Sequence, residues 1–457
     1  MISVLEAMER CQKGPLMDVK DFNKKLQVKL REASAKLNVK LNLDEIIPPP
    51  DVADAVFEAA IDFGAEIGLY NQDTSRVLQF SREELIETAN TRKAEFNIGE
   101  GKDMVTIRAR RFGDKNLPVR MPGPAGVPIT EEYYVPLHLS YAKLPEVQGI
   151  VPGCLSTARG FKNLAATPAE VVCAMQEAKL LQEVARRAGK PGMPLGEVPM
   201  SAMNDPGIIA AYAPGGYRAT NSLIPIQVYP GLKIGWHHLN IAAFAQAQGI
   251  EIWGMAFVVL GAFARDPIET AIKTIAGELA LLSFTNGNLL YSATIPTGAI
   301  KSYKPVLPTE SLKFLAKTRN MNICLVCTAG AIFKACTKAS LYENALMAFA
   351  PSVAGAAVVS FGESGMGTIV NGSTGMEGKI VCETAMAAAG MDDRKEANRI
   401  ASNVVNMLMQ HAMKNPEKGK TFPECYDVDK VEPSDEFKQL YAEAKKDLRQ
   451  AGIPFRY

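Results

Sequence analysis

The sequence has no uninterrupted apolar stretch long enough to span a bilayer, so no membrane-embedded segment is expected. Met1 to Lys20 mixes charges throughout and lacks the apolar centre of a secretory signal, which points to a cytoplasmic protein. Cysteine is sparse and dispersed: Cys11, Cys154, Cys173, Cys324, Cys327, Cys336, Cys382 and Cys425. That distribution excludes a disulfide scaffold and suits a reducing compartment. No sign of charge dominates, since 50 basic and 49 acidic residues give a formal net charge of +1. Nucleic acid is therefore not an expected partner, and the basic run Arg108–Arg111 reads as a solvated loop. There is no Ser/His/Asp nucleophile signature, no HExxH zinc motif and no P-loop.

What is present is a large apolar fraction, 47% of 457 residues, arranged in two textures. Residues 1–115 are mostly polar and helical in pattern, with Pro48-Pro49-Pro50 dividing two helical stretches. From about Pro118, short apolar runs alternate with helical ones. The strand candidates are Val119–Gly123, Gln148–Gly153, Met193–Val198, Leu223–Tyr229, Ile250–Val258, Leu289–Ile295, Asn322–Cys327 and Ala356–Phe361. They are near-continuous apolar runs, as expected of strands buried on both faces. Thr167-Pro168-Ala169-Glu170 and Asp266-Pro267-Ile268-Glu269 each offer a capping side chain, proline at the first helical position and glutamate three residues after the cap. Eight strand–helix pairs predict an α/β fold, a (β/α)8 TIM barrel spanning 116–391. An N-terminal helical extension (1–115) and a C-terminal helical extension (392–457) flank it. An open doubly wound sheet is the competing arrangement.

Few residues declare chemistry. Cys324 and Cys327 sit three apart on a strand and so face opposite ways, which favours core cysteines over metal ligands. His237-His238 follows the fourth strand; one of them is a candidate acid or ligand. Gly362-Glu363-Ser364-Gly365-Met366-Gly367 closes the eighth strand, where its glycines serve either a tight turn or a close approach to a phosphate or cofactor tail. In a barrel that end of the strands carries the active site, which makes Glu363 a candidate acid.

Longer blocks carry a resemblance. Gly113-Asp114-Lys115, Gly123-Pro124-Ala125-Gly126-Val127-Pro128-Ile129, Pro136-Leu137-His138-Leu139-Ser140-Tyr141-Ala142, Gly189-Lys190-Pro191-Gly192-Met193, Thr374-Gly375-Met376-Glu377 and Gly419-Lys420-Thr421-Phe422-Pro423-Glu424-Cys425-Tyr426-Asp427-Val428 resemble the monomethylamine:corrinoid methyltransferase family. The resemblance implies a homo-oligomer and methyl delivery to Co(I) of a corrinoid (cobalamin) carried on a separate partner protein. It also implies a pyrrolysine soon after Gly192-Met193, and that place falls at Gly196 here. The two glutamates, glutamine and tyrosine that surround the amine in the family fall, by ungapped counting, near Ile224, Phe257, Met321 and Ile323, all apolar.

These departures predict an apolar pocket of Gly196, Ile224, Trp253, Phe257, Met321 and Ile323, enlarged by glycine at 196. A methoxylated aromatic, demethylated to its phenol, is the donor such a pocket suits. Its leaving oxygen needs a proton or electrophile, for which Tyr229, His237 and Glu363 are the candidates. Zinc could serve, although no ligand cluster is apparent. A quaternary amine such as a betaine, held by cation–π contact, is the alternative donor, as is methylamine itself. A non-catalytic binding barrel is the alternative of another class.

Overall fold

Eight chain segments run parallel around one closed ring in the computed structural model, which describes residues 2–296, 305–414 and 418–455. Six are regular strands, in spatial order Leu223–Val228, Glu251–Leu260, Leu289–Pro296, Cys324–Gly330, Val358–Glu363 and Val119–Pro122. Two short segments, 148–151 and 194–198, join the last of these to the first. Gln148 and Val151 donate through their N–H groups to Arg120 O and Pro122 O, Ile150 bridges Leu195, and Val198 N–H donates to Leu223 O. The sheet is thus a closed barrel, not an open doubly wound one, and its eight staves are the eight runs marked in the sequence.

A helix follows each stave: Glu131–Ala142, Pro168–Arg187, Asp205–Ala210, Trp236–Gln248, Pro267–Thr285, Val306–Asn320, Lys338–Val353 and Gly375–Ala388. Strand residues alternate between two apolar clusters, as a period of two requires. Leu223, Trp253, Met255, Tyr291, Cys324 and Val326 fill the barrel interior, while Ile224, Ile252, Leu325 and Cys327 face the helices. Cys324 and Cys327 are therefore core residues on opposite faces. The hairpin Glu95–Ile98 and Val105–Arg108 plugs the amino-terminal end, contributing Ile98 and Ile107 to the interior cluster.

The flanking segments are built onto this frame. Pro50–Ile67 packs against Pro267–Thr285 and Val306–Asn320, and strand Leu69–Asn71 pairs in parallel with Lys233–Ile234. Within the basic run Arg108 and Arg111 are exposed, but Arg110 departs from the solvated loop expected. Arg110 is 3% exposed, and its guanidinium donates to Ser352 O and Ala356 O, capping carbonyls at the end of Lys338–Val353. Among the described residues, no helix is long and apolar enough to cross a membrane.

The helix starts also divide. Asp266 accepts from Glu269 N–H at 2.9 Å, as its motif predicts. Thr167 makes no such cap; its hydroxyl donates to Leu164 O at 2.7 Å. Glu170 instead accepts from the backbone of Ala166 and Asn204, tying the helix to the loop that follows 194–198.

Candidate active site

At the carboxyl ends of the staves lies a cavity of about 310 Å³. Barrels place their chemistry at this end because the loops there are free to vary while the strands hold them rigidly. Gly126 and Cys154 line it from the first two stave ends, Glu197 and Met200 from the third, Gln227 and Tyr229 from the fourth, and Met255 and Phe257 from the fifth. Phe257 continues an aromatic wall across the barrel, its ring 5.3 Å from Tyr291, which lies 5.9 Å from Phe361.

Glu197 is the acidic residue that lines this cavity. It is 5% exposed, and Oε2 is buried with no hydrogen-bond partner. Its backbone sits at φ 54°, a left-handed conformation that only a surrounding framework sustains in a non-glycine residue. Burial, with a further contribution from Glu363, pushes its carboxyl up to about 8. Cys154, which shares the cavity, is pushed up to about 12, first by burial and then by Glu177 and Glu197.

The loop carrying these groups is held from behind by helix Pro168–Arg187. Glu177, fully buried, accepts from Met200 N–H at 3.0 Å and Ser201 N–H at 2.6 Å, and from the Tyr217 hydroxyl. Glu170, one helical face along, grips Met203 and Asn204. Two buried carboxylates thereby fix residues 200–204, where regular structure supplies no partners.

His237 and His238 take separate duties. His238 is buried, and its Nδ1 accepts from Gly235 N–H at 3.0 Å. Burial pushes its imidazole down to about 4, so it is neutral near pH 7, and Tyr229 sits edge-on at 4.6 Å. His237 is half-buried and pairs through Nδ1 with Asp205, whose other oxygen accepts from Asn240 at 2.8 Å.

The structure sorts the residues marked in the sequence. Tyr229, His237 and Phe257 meet in the cavity. Trp253 lies deeper in the interior cluster. Glu363 comes within electrostatic reach of Glu197 from the far side of the ring. Ile224 points outward to the helices, because the inward residues of its strand are 223, 225 and 227. Met321 and Ile323 precede strand Cys324–Gly330 and so lie at the opposite end of the barrel from the cavity, not in it. Thr328 and Gly330 occupy the pocket end of that strand instead. Gly196 opens no room. A Cβ there would meet Met121 Cε at 2.8 Å and Trp253 Cζ3 at 3.0 Å.

Sequence reading missed Glu197 and Gln227, and their presence corrects the expectation of a wholly apolar pocket. The signal was at hand: Glu197 is next to the position singled out by the resemblance, and a slip of one brings it there. Among the described residues, no group of three or more His, Cys, Asp or Glu side chains could hold a metal ion.

Several blocks that carry the resemblance converge behind Glu363. Tyr141 donates its hydroxyl to Gly362 O at 2.8 Å, Ser140 Oγ accepts from Gly375 N–H, and Phe422 N–H donates to Asn371 O. The glycines around Glu363 serve a tight turn: Gly362, Gly365 and Gly367 all have φ between 64° and 84°.

A closed barrel with a buried carboxylate at its carboxyl end defines an enzyme-like site. Comparison with known proteins defines the class. The family described as monomethylamine methyltransferase MtmB matches residues 2–453, so the chain belongs to that family and is a methyltransferase. It is 29% identical to monomethylamine methyltransferase MtmB2 of Methanosarcina barkeri over 98% of this chain and 97% of that one. It is also 29% identical to MtmB2 of Methanosarcina acetivorans, over 94% of each. The crystal structure of the Methanosarcina barkeri enzyme superposes with a TM-score of 0.94 over 99% of this chain and 98% of that one, at 27% identity.

Proposed function

We propose that this protein transfers a methyl group from a methylated ammonium to Co(I) of a corrinoid carried on a separate protein. The observation that carries the reading is Glu197, a buried carboxyl with an unpartnered oxygen lining the cavity. A cation leaves water for apolar surroundings only against a counter-charge. Glu197 supplies one, and the aromatic rings of Phe257 and Tyr229 line the same cavity. Entry of the cation lowers the cost of ionising Glu197, so the carboxyl proton leaves as the ammonium arrives.

The chemistry then balances without an acid. Co(I) gives an electron pair to the methyl carbon, the C–N bond breaks, and its pair departs on nitrogen as a neutral amine. The protein's part is to hold the methyl in line at the open mouth of the barrel and keep water from the reacting atoms. Glu197 binds the cationic donor, and Phe257 and Met255 wall the methyl.

The same carboxyl supports a second reading. Protonated, Glu197 can donate to the leaving oxygen of a methoxylated aromatic, the donor first expected here. Family membership weighs toward the amine. The test is visible absorbance of a partner corrinoid protein reduced to Co(I). Conversion to methyl-Co(III) with methylated ammonium donors is the expected result. Conversion with a methoxyphenol alone would replace the ammonium by the ether, and silence with every donor would overturn the ammonium reading.

A further inference from the structure

The cavity does not end at Glu197. Segment 194–198 stops at Val198, whose N–H makes the last bond to the neighbouring stave at Leu223, while that neighbour runs on to Val228. The two staves part beyond this point. Leu223 N–H donates to Leu195 O, so 225 and 227 present their backbone nitrogens to the same edge, and Pro225 brings no donor to the opening. Through this gap the cavity branches out of the barrel into the space between helices Asp205–Ala210 and Trp236–Gln248. Ala202, Ile208, Ile226 and Ile241 line the branch. The His237–Asp205 pair joins the same two helices.

The apolar branch is adjacent to, but distinct from, the charged end. Methylammonium, with two heavy atoms, would occupy the Glu197 end and leave the branch unfilled, whereas small-molecule sites enclose most of their ligand. The branch is held by structure: Glu170 and Glu177 anchor 200–204, and the histidine–aspartate pair ties its two helices.

We infer that the donor is an N-methylated amine bearing an apolar substituent of several carbons, with its nitrogen at Glu197, its methyl toward the barrel axis and its substituent in the side branch. This rests on the ammonium reading above and extends it to the donor's size and shape. The substituent desolvates against Ile208, Ile226 and Ile241, giving affinity that a bare methylammonium cannot gain.

Calorimetry on the intact protein tests this without the corrinoid partner. N-methylbutylammonium, methylammonium and methoxybenzene are titrated in turn. N-methylbutylammonium is expected to bind at least tenfold more tightly than methylammonium. Ile208→Phe, which fills the branch, is expected to erase that advantage while circular dichroism shows the fold intact. Ile241→Phe repeats the test from the other helix should the first variant fail to fold. Equal or tighter binding of methylammonium overturns the inference and leaves the ammonium reading standing. Binding of methoxybenzene with neither cation overturns both. A butyl advantage that survives both folded variants places the substituent elsewhere and overturns the assignment of the branch.

Discussion

The carboxylate of Glu363 occupies the space that a side chain at residue 330 would need: a Cβ at Gly330 would lie 2.6 Å from Glu363 Oε1 and 2.8 Å from its Cγ. Gly330 ends one stave, Glu363 ends the next, and Ala331 N–H donates to Glu363 O across the join at 3.0 Å. The glycine is what lets this side chain lie against the end of the neighbouring stave, within electrostatic reach of Glu197. Gly330→Ala is therefore expected to displace Glu363 while leaving the fold in place. Methyl transfer should fall about tenfold or more, with the melting temperature within a few degrees of the parent. Parent-like turnover of the folded variant would show that Glu363 has no positioning role.

Glu197 gives a pH-dependent prediction. Its carboxyl stands at about 8 in the empty protein, against 4.5 ordinarily. Below that value a cation must displace a proton to bind. Affinity for a methylated ammonium is thus expected to rise about tenfold per pH unit up to about 8 and then level. Glu197→Gln should weaken cation binding about 100-fold and flatten the profile. The same shift acts on stability. A carboxyl raised in the fold contributes stability below its unfolded value near 4.5, and that contribution is lost as pH rises through about 8. Thermal melts should show the glutamine variant gaining on the parent as pH rises from about 5 to about 8 and levelling above it; no relative gain would mean that Glu197 is ionised in the empty cavity.

Gly196 supplies a steric prediction. Met121 and Trp253 already fill the position of its missing side chain, so Gly196→Ala overpacks the barrel interior. A loss of about 1–3 kcal/mol is expected from denaturant unfolding. An unchanged midpoint would mean that Met121 swings aside without cost.

His138 is a buried structural group with a definite tautomer. Its Nδ1–H donates to Tyr134 O at 2.6 Å, and its Nε2 accepts from Gly153 N–H at 2.9 Å. Burial pushes the imidazole down to about 4. His138→Phe leaves the Gly153 N–H buried and unpaired, and is expected to lower stability by about 1–3 kcal/mol near neutral pH. A depressed histidine contributes stability above its unfolded value near 6.5, and the contribution is lost as pH falls through about 4. The gap between variant and parent should narrow over that range in thermal melts. A constant gap would show that His138 does not titrate with the fold.

The fold was legible because barrel staves write themselves as short apolar runs. All eight runs marked in the sequence are staves, including 148–151 and 194–198, which make too few ladder bonds to register as full strands. The cavity was legible only in part. Tyr229, His237 and Phe257 lie within a few residues of a stave's carboxyl end, where position alone is informative. Met321 and Ile323 were misplaced because they lie just before a strand, and residues before a stave sit at the amino-terminal end of a barrel. Ile224 was misplaced because an error of one residue turns a strand side chain to the other face. Glu197 escaped notice because nothing in a linear glutamate says whether water or protein will surround it.

The sequence by itself determined the kind of object: periodicity specified the strands and helices, and the blocks from Gly113 to Val428 specified the methyltransferase family. Those are local properties, carried by spacing and residue type. Only the tertiary structure decided the character of the site. It brought Glu363 within electrostatic reach of Glu197, turned Ile224 outward, filled the space at Gly196 and parted two staves beyond Val198. Burial, charge proximity and empty volume arise between segments far apart in the chain, so they exist only once the ring has closed.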